Sequence, residues 1–211
     1  MLAPALCPSS IEVLVVFFLV LNTQWSFSSM LLLLICCEAG AFIWSSICLI
    51  AFERISSLIV VNGAQYIMFT EKWWMFHWCD MFRARYISLW PQFFSDSPVF
   101  AWFMRAALGA RCGADVTISE PHLSEPGLQT IGDGSVIAWN SWLQPHTYNG
   151  HTLILGSVSV GNHCFIDSHA ALLPESAMND GSSLLPVTLL MKGDRVESNQ
   201  CYEGVPARAS A

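Results

Sequence analysis

Positive charge is missing from the first quarter of this 211-residue chain: residues 1–52 contain no lysine or arginine, and only two acids, Glu12 and Glu38. Charge is scarce throughout, at 12% of residues, about half of the roughly 25% usual in soluble domains. Nine basic against sixteen acidic groups leave a net charge of −7, and without a basic face to neutralise phosphates, nucleic-acid binding is excluded. No Cys-x-x-Cys pair occurs among the eight scattered cysteines, which removes the common zinc patterns and a small disulfide scaffold. The length admits one ordinary domain and an appendage, not two full enzyme domains.

What is present is unevenly spread. Hydrophobic residues make up 54% of the chain; eleven of the thirteen glycines follow residue 105, and twenty-one of the twenty-six aromatics precede it. The composition therefore divides the chain near Ala106, into a membrane-like region (1–106) and a turn-rich region (107–211). Met30–Ala51 carries Glu38 as its single charge, and twenty-two residues at about 1.5 Å each cross a hydrocarbon core of about 30 Å. Ile11–Phe27 is a second candidate span around the unbroken apolar run Val13–Leu21, although Glu12, Asn22, Thr23 and Gln24 weaken it. A signal peptide would need a basic leading region, which is lacking. The expectation is two spans with a tight turn near Thr23–Ser29, the alternative being a single span over 30–52, then an interfacial or domain-contact segment at Ile55–Phe69, and an aromatic belt of Trp73, Trp74 and Trp78 at the bilayer surface. Arg54, Lys72, Arg83, Arg85 and Arg105 all follow the second span, so the positive-inside rule puts the turn-rich region on the cytosolic side. Glu38 inside a span leaves a transport role as a minor alternative.

The turn-rich region repeats. Ile154, Val160, Ile166, Leu172, Met178, Leu184, Leu190 and Val196 are six apart, each of the first seven preceded two residues earlier by a compact residue: Thr152, Val158, Cys164, Ala170, Ser176, Ser182 and Thr188. Ile131, Ile137 and Leu143 keep the same step, as do Cys112 and Ile118. A period of six fits neither a helix nor a strand alone. It fits a short strand plus a corner, three of which close a triangular coil, with stability coming from the stacking of four to five coils between Cys112 and Val196. Ala106–Leu108 and the tail after Val196 are the candidate caps. The repeat breaks twice, across Ser119–Gly127, which contains His122 and Glu125, and across Gln144–His151, where a loop is expected to leave the prism and reach a neighbouring one.

These hexads, with the closing Gly204-Val-Pro-Ala-Arg208, resemble the left-handed β-helix acyltransferases of the hexapeptide-repeat superfamily. Ala107-Leu-Gly-Ala-Arg111, Ile131-Gly-Asp-Gly134, Leu143-Gln-Pro-His146 and Leu189-Leu-Met-Lys-Gly-Asp194 resemble more closely the C-terminal membrane and β-helix region of non-ribosomal-peptide-synthetase-like proteins of the polylysine-synthetase type. The resemblance implies N-terminal transmembrane helices followed by a left-handed parallel β-helix, a homotrimer, and acyl transfer to an amine or hydroxyl. The implied donor is a thioester of coenzyme A or of a carrier-protein phosphopantetheine, a carrier acting in trans because adenylation and carrier domains lie outside these residues. His146 matches the position of that family's catalytic base, and Glu125 stands where the family carries an acid. For His146 the alternative is loop packing; Glu125 either orients the imidazole or caps a turn; His151 falls where the motif asks for no histidine. His163 and His169, one hexad apart, lie on adjacent prism faces and point apart, so they are expected on the surface, with no metal site. Cys112 and Cys164 fill small or apolar repeat positions and read as packing groups, not nucleophiles. The competing function is a non-catalytic membrane-anchored β-helix scaffold, a truncated remnant of a synthetase-like protein.

Overall fold

The computed structural model describes residues 27–87, 90, 94–119 and 122–210. Packing divides the chain between Leu49 and Ile50. Residues 50–106 thus share the composition of the apolar region and the compact unit of the β-helix.

Helix α1 (Phe27–Ser56) is apolar nearly to its end. Within it, Leu31–Ser56 is long and apolar enough to cross a membrane, and leaves Leu31, Ile43, Trp44 and Ile47 exposed. Phe27–Ser29, expected as a turn, are already helical. Of the expected first span, residues 11–26 lie outside the described residues. Strand β1 (Gln65–Ile67), helix α2 (Glu71–Ile87) and helix α3 (Pro98–Ala107) follow. Helix α3 begins on Ser97, whose side chain accepts from the Val99 amide, with Pro98 in its first turn. It buries Phe100, Ala101, Phe103 and Met104 against the first coil and closes that end of the prism, a cap extending well beyond Ala106–Leu108.

The remaining strands build a parallel β-helix from three sheets. Strands β2 (Arg111–Cys112), β5 (Gln129–Ile131), β10 (Val158–Val160), β13 (Ala177–Met178) and β16 (Arg195–Val196) stack in one. The second holds β3 (Thr117–Ile118), β6 (Val136–Ile137), β11 (Phe165–Ile166), β14 (Ser183–Leu184) and β17 (Cys201–Glu203), with β18 (Arg208–Ala209) antiparallel on its edge. The third holds β4 (His122–Leu123), β7 (Trp142–Leu143), β12 (Ala171–Leu172) and β15 (Leu189–Leu190). Ile118, Ile137, Leu143, Ile166, Leu172, Leu184 and Val196 are fully buried, and the compact residues two before them, such as Val116, Ser135, Ser141 and Ala170, are buried too. Large and small inward positions thus fill the interior together. Corners are tied by side chains of the next coil: the Asn162 Oδ1 accepts from the Asp133 amide at 2.9 Å, and the Asp180 Oδ1 from the Asn162 amide at 2.7 Å.

One expected rung is wrong. Ile154 is not inward-pointing: it lies in β9 (Thr152–Leu155), where the two-residue strand period buries Leu153 and Leu155 instead. The ladder resumes at Val160, seventeen residues after Leu143 where six is the rule. The segment between leaves as β8 (His146–Asn149), turns at Gly150 and returns as β9. It pairs with this chain's own β1 rather than reaching out: Gln65–Ile67 runs antiparallel to Thr152–Ile154. Leu153, Leu155 and Leu128 pack with Ile59, Val60, Trp73 and Phe76 in a second core. Trp73, expected in a surface belt, is therefore interior, while Trp74 and Trp78 are exposed.

Gly132 shows how tightly the coils stack, since a Cβ there would lie 2.5 Å from the carbonyl carbon of Gly161. Gly132→Ala is expected to cost about 1–3 kcal/mol in denaturant unfolding, the usual range for overpacking, whereas Gly127→Ala, with nothing within 4 Å, is expected to change stability little.

Candidate active site

The third corner of each coil explains where the site forms. In successive coils it falls just after Leu123, Leu143, Leu172 and Leu190, and it is taken by Glu125, His146, Glu175 and Gly193. Glu125, Glu175 and Gly193 turn the chain with left-handed backbone angles (φ 44°, 66° and 78°). At His146 the corner is opened and the chain runs out into β8. Because β4 and β7 are neighbours in one sheet, Glu125 and His146 occupy adjacent levels of one prism edge. Their side chains meet: His146 Nδ1 lies 2.9 Å from Glu125 Oε2.

Glu125 is fully buried and half of its carboxylate is held by Arg83 of α2, with Nη1 donating to Oε1 at 3.2 Å. Arg83 is 1% exposed and also donates from Nε to Glu53 Oε2 at 2.9 Å, from Nη1 to Asp80 Oδ1 at 3.1 Å and from Nη2 to Ser56 Oγ at 3.5 Å. A carboxylate paired with a guanidinium can only accept, so the imidazole proton sits on Nδ1, and Nε2 keeps its lone pair. Phe76 packs edge-on against the imidazole at 5.5 Å between ring centroids, and Tyr148 lies beyond it at 6.4 Å. The His146 side chain retains 16% exposure. Gln129 fixes both corners: its Nε2 donates to the Ser124 carbonyl at 2.6 Å and to the Leu143 carbonyl at 3.2 Å.

Three carboxylates face one guanidinium here, so the cluster favours a further positive charge. Burial opposes the imidazolium of His146, but the hydrogen bond to Glu125 and the charges of Glu125 and Asp80 outweigh it, and the imidazole titrates above its ordinary value. Burial, aided by the charge of Glu125, raises the Asp80 carboxyl despite Arg83. The result is a histidine oriented by a carboxylate, poised to take a proton on Nε2.

Other candidates stay apart. His151 is exposed at the far end of the hairpin, where its carbonyl accepts from the Met68 amide. His163 and His169 are exposed at corners, His169 bonded to Asn140 at 2.8 Å. Cys112 is buried, which lifts its thiol to about 11 against the opposing charge of Arg105, so it is no thiolate at neutral pH. Among the described residues no group of three or more His, Cys, Asp or Glu is placed to hold a metal ion.

Sequence reasoning missed Arg83, Glu53, Asp80, Ser56 and Gln129. Gln129 carried a readable signal, because it stands two before Ile131 where most rungs have a compact residue. Arg83 had been counted as a loop charge; in the structure it is neutralised inside, and contributes nothing to a positive-inside bias.

No protein-family model matches the chain. A curated relative, the delta-poly-L-ornithine synthetase of Acinetobacter baumannii (strain AB307-0294), is 26% identical over 140 residues, which are 64% of this chain and 10% of the synthetase. The chain thus spans about a tenth of that relative's length. Among solved structures, a hexapeptide-repeat-containing acetyltransferase of Vibrio cholerae O1 biovar eltor, complexed with acetyl coenzyme A, aligns over 71% of this chain and 93% of its own, with 12% identity and a TM-score of 0.51. This chain has the fold of the hexapeptide-repeat acyltransferases. A galactoside acetyltransferase in complex with coenzyme A covers 71% of this chain and 86% of its own, at 13% identity and a TM-score of 0.47.

Two outcomes follow from the ion cluster. Arg83→Ala leaves Glu53 and Glu125 buried without a counter-charge and is expected to cost about 3–5 kcal/mol in chemical unfolding, with Arg83→Lys recovering part of it. The raised imidazole contributes stability that is complete below its unfolded pKa, near 6.5, and is lost as pH rises through the higher folded value. Glu125→Gln removes the two largest raising interactions and leaves Asp80 against burial, so the folded pKa should drop and this high-pH loss should shrink or vanish, read from unfolding midpoints across pH 5–9.

Proposed function

We propose that the protein is a membrane-tethered acyltransferase that moves an acyl or aminoacyl group from a thioester to an amine or hydroxyl, with His146 as general base and Glu125 as its orienting partner. The observation that carries this reading is the His146–Glu125 pair in the one opened corner of the β-helix. The donor is a thioester of coenzyme A, the ligand class held by the Vibrio acetyltransferase of the same fold, or of a carrier-protein phosphopantetheine supplied in trans. The polyornithine synthetase likeness supports an aminoacyl variant of the same transfer. Helix α1 supplies the tether, the β-helix is left-handed as in the hexapeptide-repeat superfamily, and the prism faces the cytosol, where such thioesters are made.

In the transfer, the acceptor nitrogen or oxygen attacks the thioester carbonyl carbon while His146 Nε2 takes its proton. Glu125 stabilises the resulting imidazolium without being protonated itself, since Arg83 holds its other oxygen. Collapse of the tetrahedral intermediate breaks the C–S bond, and the imidazolium returns the proton to the departing thiolate. The chain would act as a homotrimer, its donor cleft lying between adjacent prisms.

His146→Ala removes the base and little of the core, and is expected to lower acyl transfer by roughly 10²–10⁴ while His163→Ala, on an exposed corner, retains it. Thioester consumption with acetyl and aminoacyl donors, and with amine and alcohol acceptors, measures this. If both variants transfer as the parent does, His146 is not the base; if the folded parent consumes no thioester, the scaffold reading replaces this one.

A further inference from the structure

Helix α2 is apolar on two opposite sides. At 100° per residue, Arg83 lies directly opposite Trp74, and the helix buries Trp73 and Phe76 beside Arg83 while leaving Trp74 and Trp78 exposed. Its inner face carries Trp73, Phe76, Cys79, Arg83 and Ile87, all at most 7% exposed. Its outer face carries Trp74, Trp78 and Met81, which are 43%, 49% and 50% exposed and fall within about 60° of one another, and Arg85 takes the same angle near the C-terminal end of the helix. A helix on a water-facing domain carries a single apolar stripe, turned inward, and a polar outer face; the second, outward apolar stripe is what needs a partner. The apolar outer face continues into neighbouring segments of the same unit: Phe69, 66% exposed, lies 6.3 Å from Trp74, and Leu58 and Ile67 are 76% and 63% exposed. It also continues into α1, because Phe52, in the last turns of that helix, stacks on Phe82 at 4.2 Å and 8°.

We propose that α2 lies in the plane of the bilayer surface, with Trp74, Trp78 and Met81 in the boundary between headgroups and acyl chains. Tryptophan suits that depth, having an apolar ring and one donor to leave in the wet layer. Lys72 and Glu71, exposed in the first turn, remain with the headgroups. The same helix holds the catalytic pair from its other side, Phe76 against His146 and Arg83 against Glu125, so the reacting groups stand about one helix diameter, roughly 10 Å, from lipid. The transfer site thus works at the membrane surface rather than on a long stalk above it. The occupant of this face is the bilayer and not a second prism, because its apolar surface runs on from a helix of membrane-spanning length.

This inference rests on α1 being a membrane tether, and residue-resolved oxidation separates the two. The full chain is placed in phosphatidylcholine nanodiscs at one chain per disc, exposed to a hydroxyl-radical pulse, and read by peptide mass spectrometry. Trp44, 60% exposed on α1, reports the tether; Trp139 and Met191, 52% and 41% exposed on the β-helix, report open solvent. The expected result is that Trp74, Trp78 and Met81 react as slowly as Trp44 while Trp139 and Met191 react at the solvent rate. Protection of Trp44 alone would overturn the interfacial helix and leave the tether standing. Rapid oxidation of Trp44 would remove the tether, and the interfacial helix with it. Protection of the α2 face that appears only with several chains per disc would assign it to a second copy and overturn the proposal.

Discussion

A guanidinium that is 1% exposed cannot be left without partners, and most of the structure outside the prism is arranged around that requirement. Arg83 collects Glu53 and Ser56 from the end of α1, Asp80 from its own helix, and Glu125 from the first coil of the β-helix. These contacts fix the end of α1 and helix α2 against the prism at the edge where the third corners stack. Losing Arg83 would leave the buried carboxylates of Glu53 and Glu125 without that counter-charge, so the arrangement tolerates little slack. The donor pattern of arginine matters here, because one side chain serves four acceptors in a nearly planar fork.

The prism supplies the other half of the constraint. Its corners normally turn through left-handed residues, and a regular stack would bury the edge between Glu125 and the next level. Opening the corner at His146 lets the chain leave, and the amide of Gly156 closing on the Pro145 carbonyl at 2.8 Å brings it back almost where it left. The excursion would be a frayed hairpin by itself, since two strands alone are marginal in water. Strand β1 adds a third strand, and Leu153 and Leu155 bury against Trp73 and Phe76. The imidazole is thereby held by Glu125 and by Phe76 from α2, and Gln129 ties together the backbone segments that carry the pair. The pair is complete within one chain.

The β-helix was legible because its period is fixed by geometry: every coil must present a large and a small residue inward at each side, and hexads record that directly. The breaks offered three histidines, His122, His146 and His151, and two acids, Glu120 and Glu125; the family resemblance singled out His146 and Glu125 among them. That they touch was not legible, because the breaks hide the register that puts them on neighbouring levels of one edge. Ile154 misled for a related reason, since its spacing of six from Val160 is an accident of a strand that buries Leu153 and Leu155. Arg83 counted in the sequence only toward the positive-inside bias, because an arginine in an aromatic helix carries no mark of facing inward; its burial shows only in the structure. Glu53 and Ser56, at the end of an apolar helix, gave no signal beyond their composition.

The central claim is that Glu125, backed by Arg83, holds His146 as the Nδ1–H tautomer with a raised pKa. Imidazole-selective isotope labelling of the solubilised full chain, with His146→Gln to assign the signal, measures both directly. The account predicts a neutral ring with the ¹⁵N shifts of a protonated Nδ1 and a bare Nε2, and a titration midpoint above the ordinary value near 6.5. A proton on Nε2, or a midpoint at or below that value, would contradict it.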